Sequence, residues 1–263
     1  MLIVTLIWIL FSFFGMLPFL LGGYIDNVTD AFFETMSGFT TTGSTILTDI
    51  ERLPHGILFW RSLTQWQGGI GMVVFTVALL PIFGGVSSQM FEAETTGTGI
   101  SHERFLPRIT QVAKRLWGLY LFLTLVVIGL LWIGPMDLFD AVNHGLTTIS
   151  TGGYSTKNSS IGFWHSAYVE YVVTIFMFIG ATNMTLIYFS LNGRVKKLLR
   201  DEEFRWYVGL VLLAIAATGL WIYHLGFADG VEVAFRKAAF QVVTLVTTCG
   251  FATDKFVPWG PFF

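Results

Sequence analysis

The chain has 263 residues, of which 54% are apolar, 16% aromatic and 12% charged, with a net charge of −2 and a mean hydropathy of +0.67. Soluble domains carry about 25% charged residues, so the expected solvent is the bilayer. The single cysteine, Cys249, excludes an internal disulfide framework and a cysteine zinc cluster, and the charge balance excludes nucleic acid as a main partner.

Five segments reach the roughly 20 apolar residues that a spanning helix needs: Met1–Leu21, Trp60–Phe83, Leu116–Gly134, Tyr168–Leu191 and Trp206–Leu225. Met1–Leu21 has no basic n-region and no small-residue cleavage site, so it reads as a span rather than a signal. The connections 84–115 and 192–205 hold nine of the 15 basic residues, among them Arg104, Arg108, Lys114, Arg115, Arg194, Lys197 and Arg200. The positive-inside rule puts both in the cytoplasm. The amino terminus is then also cytoplasmic, and the carboxyl end lies outside.

Each outer connection holds a further apolar stretch too short to span: Ala31–Phe39, Ala141–Ile149 and Ala238–Val246. Segments of this length are re-entrant or lie in the interface. An internal repeat favours the first reading. Asp30–Gly43, Asp140–Gly153 and Lys237–Gly250 align over fourteen residues without a gap. Alanine recurs at 31, 141 and 238, threonine at 41, 151 and 248, and glycine at 43, 153 and 250. Each unit reads as spanning helix, half-helix, Thr/Gly-rich loop and spanning helix.

A half-helix ending inside the membrane leaves its last carbonyls unpaired and its dipole negative there, which favours a cation. The loop that follows can turn successive carbonyl oxygens toward one axis, and Gly43, Gly153 and Gly250 permit the positive φ this requires. Rings of backbone carbonyls replace the hydration shell of K⁺. The competing reading, glycine as a helix-packing residue, suits Gly68, Gly69 and Gly71 in the second span. Ten acids in the outer connections, including Glu34 and Asp140, form a mouth that would concentrate cations.

Other chemistry is thin. His102-Glu103 opens a zinc motif that Leu106 breaks. His55, His144, His165 and His224 fall near the outer interface and read as polar anchors. Asn183, within the fourth span, is expected to bond a neighbouring helix, and Glu170 to reach interfacial water. A neutral-solute pore would aim half-helix N-termini at its site, and an intramembrane enzyme would need convergent catalytic groups. Here the Thr/Gly runs follow the half-helix C-termini, which favours cations, and the spans offer an enzyme only Asn183 and Glu170. A structural assembly subunit would leave the repeat unexplained.

FFETMSGFTTTGSTIL (Phe32–Leu47) followed by LPHGILFWRSLTQWQGGIGMVVFTVALLP (Leu53–Pro81) resembles the TrkH-like potassium uptake proteins of the Trk/Ktr/HKT superfamily, and ISTGGYST (Ile149–Thr156) and TTCGFAT (Thr247–Thr253) look like that family's second and third filter segments. The resemblance implies an all-α polytopic membrane protein with repeated pore units around a pseudo-fourfold axis. It implies K⁺ uptake through filter residues Thr41, Thr42, Gly43, Thr151, Gly152, Gly153, Thr248, Cys249 and Gly250, with K⁺ as the transported ion, no bound cofactor and no enzymatic activity. A homodimer in the bacterial inner membrane and a cytosolic TrkA-like nucleotide-binding partner are implied too. A Na⁺-permeable or H⁺- or Na⁺-coupled symporter of the same architecture is the alternative, with a neutral-solute channel ranked behind it. On this scheme residues 1–83 form the first pore unit (filter 40–44), 84–115 a cytoplasmic linker, and 116–191 the second unit (filter 150–154). Residues 192–205 form a second linker, and 206–263 a third unit (filter 247–251) without its returning helix. The chain is therefore expected to be a fragment of a longer protein.

Overall fold

A computed structural model describes residues 2–71 and 105–254, and every described element is helical. The far half of the span Trp60–Phe83, the linker up to residue 104 and everything after residue 254 lie outside the described residues.

Unit one opens with α1 (Leu2–Gly15), a break at Met16, and α2 (Leu17–Leu21), where Pro18 stands in the first turn. A proline has no N–H and clashes with the preceding turn, which interrupts the ladder at Met16, but Met16 keeps right-handed helical torsions and Thr5–Leu21 runs on as one apolar helix. Half-helix α3 (Val28–Phe39) is capped by Asn27, whose side chain accepts from the Thr29 N–H. Helix α4 covers 55–71 of the described residues. It is tied to α1 by Trp60 Nε1 donating to Gly15 O at 2.9 Å.

Unit two begins with α5 (Phe105–Ile133), whose 29 residues make a rod of about 44 Å against a hydrocarbon core of about 30 Å. It starts eleven residues before the predicted span, inside the segment read as linker, because nothing between Phe105 and Leu116 breaks a helix once Pro107 sits in its first turn. Half-helix α6 (Leu138–Ile149) is capped by Asp137 through the Asp140 N–H. A short 3₁₀ turn (Ser160–Trp164) leads to α7 (Ala167–Ala181) and α8 (Met184–Leu191).

The predicted span Tyr168–Leu191 is thus broken: α7 and α8 meet at 108°. Thr182 is extended, and the Asn183 side chain caps α8 by accepting from Thr185 N at 3.0 Å. Among the described residues, Asn183 therefore serves its own chain at the bend rather than a neighbouring helix. The second linker is also helical for much of its length, as α9 (Val195–Arg200) and the first turn of α10 (Glu202–His224). Half-helix α11 (Val231–Val246) closes the described part. It extends seven residues further toward its N-terminus than the predicted stretch.

Among the described helices, residues 111–133 of α5 and all of α10 are long and apolar enough to cross a membrane singly, and α7 with α8 does so as a bent pair. Each half-helix packs on the helix that precedes it in its unit: α3 on α1, α6 on α5, α11 on α10. The recurring alanine is the reason for this closeness, because Ala31, Ala141 and Ala238 are all completely buried. A single apolar core joins α5, α6, α7 and α11, with Val127, Val173, Met177 and Phe240 at its centre. The outer faces of α1 and α10 present Phe14, Leu213 and Trp206 outward, as a lipid-facing surface requires.

Candidate ion-coordination site

Every half-helix ends in the same way. In unit one, Thr41 N donates to Gly38 O at 3.0 Å and Thr42 N to Ser37 O at 2.9 Å. Unit two repeats this with Thr151 N to Thr148 O at 3.1 Å and Gly152 N to Thr147 O at 3.0 Å. Unit three does so with Thr248 N to Leu245 O at 3.1 Å and Cys249 N to Thr244 O at 2.9 Å. This is the Schellman arrangement, which usually places glycine at its left-handed position. Here that position is threonine three times, with φ of 55° at Thr41, 51° at Thr151 and 56° at Thr248. A left-handed β-branched residue is an outlier that costs about 1–3 kcal/mol. Two residues on, Gly43, Gly153 and Gly250 are left-handed as well, at 77°, 77° and 83°.

This geometry revises the expected electrostatics. The final carbonyls of the half-helices are not left unpaired, since the N–H groups of the turn fold back and occupy them. Thr40, Ser150 and Thr247 add a hydroxyl each, donated to Met36 O, Leu146 O and Val243 O. Among the described residues no hydrogen-bond donor meets the carbonyl oxygens of Thr41, Gly43, Thr151, Gly153, Thr248 or Gly250. The half-helix has in effect passed its free carbonyls to the turn.

The three turns also touch in sequence. A Cβ on Gly43 would lie 2.1 Å from Gly152 O, and one on Gly153 would lie 1.8 Å from Cys249 O. All nine residues singled out from the sequence therefore belong to one contiguous set of three turns. Within it the middle residues differ from the rest: Gly152 O accepts from Gln65 Nε2 at 2.7 Å, and the Cys249 side chain is fully buried. Gly68 and Gly69 of α4 admit two half-helix ends, since a Cβ would lie 1.9 Å from Phe39 O and 2.9 Å from the Ser150 side chain respectively. Gly71 has only an ordinary contact with Trp8.

Behind the turns stands a buried polar scaffold that the sequence reading assigned elsewhere. Glu34 and Asp140 do not belong to an acidic mouth. Glu34 pairs with Arg61 at 2.9 Å, and their side chains are 0% and 1% exposed. The carboxylate also accepts from Thr45 Oγ1 at 2.9 Å and Ile46 N at 3.1 Å, immediately after the first turn. Arg61 continues across to the second unit, where it donates to Ser155 O and lies 4.1 Å from the centroid of the Tyr154 ring. Tyr154 returns the link, its hydroxyl donating to Glu34 O at 2.8 Å.

His144 is no interfacial anchor. It is wholly buried, bonded to Asp140 O at 2.8 Å and Ser155 Oγ at 2.9 Å. Asp140 accepts from Thr156 at 2.6 Å and pairs with Lys157 at 3.1 Å. Glu34, His144 and Gln241 occupy one position of the repeat, four residues after Asp30, Asp140 and Lys237, and all three are buried. A polar residue recurring at the same position of the aligned repeat was the signal that could have found them. Glu170, expected at interfacial water, instead pairs with Arg236 of α11, which also holds Glu232 at 2.8 Å. Glu232, exposed in the first turn of α11, also accepts a hydrogen bond from the Tyr171 hydroxyl at 2.8 Å.

Comparison with known proteins agrees with this architecture. The family model "TrkH: Cation transport protein" matches residues 1–263. The "Trk system potassium uptake protein TrkH" of Escherichia coli (strain K12) is 41% identical over 99% of this chain and 54% of its own length. The protein of the same name from Salmonella typhimurium is 40% identical over the same shares. The crystal structure of the potassium transporter TrkH from Vibrio parahaemolyticus superposes with a TM-score of 0.87 at 36% identity, covering 99% of this chain and 53% of that one. The chain spans about half the length of the relatives it matches.

Proposed function

The chain belongs to the TrkH family of cation transport proteins, multi-pass membrane proteins without enzymatic chemistry, and on that premise we propose that it forms three walls of a K⁺ uptake pore. The observation that carries the reading is the threefold recurrence of a left-handed threonine and a left-handed glycine at a half-helix end, with donor-free carbonyls between units in contact. Thr41, Thr42, Gly43, Thr151, Gly152, Gly153, Thr248, Cys249 and Gly250 make up the filter, and the carbonyls of the left-handed residues are its ligands. Strain kept at three equivalent places, where a glycine would have relieved it, belongs to function rather than to folding.

The pore units are 1–83, 116–191 and 206–263, joined by cytoplasmic segments 84–115 and 192–205. The filter then faces the outside, and the amino terminus the cytoplasm of a bacterial cell. Exposed Arg194 at the start of α9, with Lys196, Lys197 and Arg200 on it, suit lipid headgroups at the inner surface, or a cytosolic TrkA-like nucleotide-binding subunit. A homodimer is the expected assembly.

The test is complementation. The complete protein containing this chain should restore growth at low external K⁺ to cells lacking their own K⁺ uptake. Protein that reaches the membrane without restoring growth would refute the reading.

A further inference from the structure

Gln65 lies one helical turn beyond Arg61 on α4 and is completely buried. Its carboxamide meets the second turn twice. Nε2 donates to Gly152 O at 2.7 Å, and Oε1 accepts from Tyr154 N at 3.0 Å. The two bonded groups flank Gly153, whose φ is 77°. One planar amide that pairs with the C=O of one residue and the N–H of the residue two places on closes a ring, as a neighbouring strand would. Such a ring fixes the torsions inside it, and the direction of the Gly153 carbonyl is one of them.

The clamp also reaches unit one. Gly152 O, held by Gln65, is the atom that a Cβ on Gly43 would strike at 2.1 Å. On its other side, a Cβ on Gly152 would lie 2.4 Å from Gln65 Cδ. Gln65, the second turn and the first turn therefore form an unbroken stack, fastened to a helix of unit one. Arg61 grips the segment after the first turn through Glu34, and it reaches Ser155 beyond the second. The two side chains, four residues apart on one face of α4, join unit one to unit two.

We propose that Gln65 is a specificity-determining positioning residue, whose amide fixes the distance and orientation between the first and second turns and thereby the preference for K⁺ over Na⁺. The inference rests on the reading of these turns as a K⁺ filter. Selectivity in a carbonyl cage depends on its size or on the number and field of its oxygens, and both change when Gly152–Tyr154 is free to rotate. Without its buried donor, Gly152 O is also left to seek another partner, a small cation among them.

The experiment measures K⁺ and Na⁺ fluxes, per inserted molecule, in the complete protein reconstituted in liposomes. Gln65→Met keeps the length of the side chain and removes both hydrogen bonds, Gln65→Asn keeps the amide but cannot span both partners, and Gln67→Met alters an exposed neighbour. The K⁺/Na⁺ flux ratio should fall about tenfold in both Gln65 variants, equivalent to about 1.4 kcal/mol and the size of one lost buried hydrogen bond. It should stay unchanged in Gln67→Met. General damage would lower both fluxes together and leave the ratio intact. A ratio within twofold of wild type in whichever Gln65 variant inserts overturns the proposal. A wild-type protein that does not prefer K⁺ overturns instead the filter reading beneath it, and the two failures are distinguished by the wild-type lane alone.

Discussion

The carbonyl oxygen of Cys249 stands 1.8 Å from where a Cβ on Gly153 would be, so the second and third turns meet through a glycine that has no room to be anything else. The same relation joins Gly43 to Gly152 O. Two demands converge on these glycines, a left-handed φ and a neighbouring backbone within contact distance.

Gly153→Ser should therefore weaken discrimination between K⁺ and Na⁺ without abolishing insertion. The left-handed conformation alone costs a serine about 1–3 kcal/mol, and the Cys249 carbonyl must move as well. Gly43→Ser should act in the same way, through Gly152. Gly56→Ser, at a helical position with open space around it, should match wild type. Uptake of K⁺ and Na⁺ in deficient cells decides this, and unchanged ratios in the two filter variants would contradict it.

Removing one member of the Glu34–Arg61 pair should be far worse than removing both. A lone charge at this depth, with side chains 1% and 0% exposed, costs about 3–5 kcal/mol. Arg61→Met alone should lower the midpoint of thermal unfolding in detergent. Glu34→Gln combined with Arg61→Met should recover a large part of the loss, with a coupling energy of about 1–3 kcal/mol in the double-mutant cycle. Additive losses would mean that the pair does not act as a unit.

Cys249 should resist thiol reagents in the native protein, because its side chain is completely buried and buried structural thiols are inert. A membrane-impermeant maleimide added from either side should leave it unlabelled, while denatured protein labels fully. Rapid native labelling would place the third turn differently from the geometry described above.

How much of this the sequence displayed depends on the kind of signal. The half-helices and their turns were legible, because a repeated Ala, Thr and Gly at fixed spacing records a repeated backbone requirement. The left-handed threonines were not, since nothing in the letter Thr announces a positive φ, and glycine alone was credited with it. The break at Thr182–Asn183 was hidden for a similar reason: the run from Tyr168 to Leu191 stays apolar through a 108° bend, and apolarity reports burial in lipid, not straightness. The buried network was misplaced because charged residues in a connection read as exposed by default. Glu34 and Arg61 acquire their roles only when α3 and α4 pack together. Arg61 and Gln65, polar residues four apart at the start of an apolar span, were the sequence signal that went unused, since polar groups at membrane depth are costly.

The central claim is that the turn carbonyls of the three units bind K⁺. It is tested most directly by anomalous diffraction from crystals of the complete protein grown with Rb⁺ in place of K⁺. The account predicts anomalous density in contact with carbonyl oxygens of the turns at Thr41–Gly43, Thr151–Gly153 and Thr248–Gly250 together. Well-resolved turns with no such density, and Rb⁺ bound elsewhere along the pore, would contradict it.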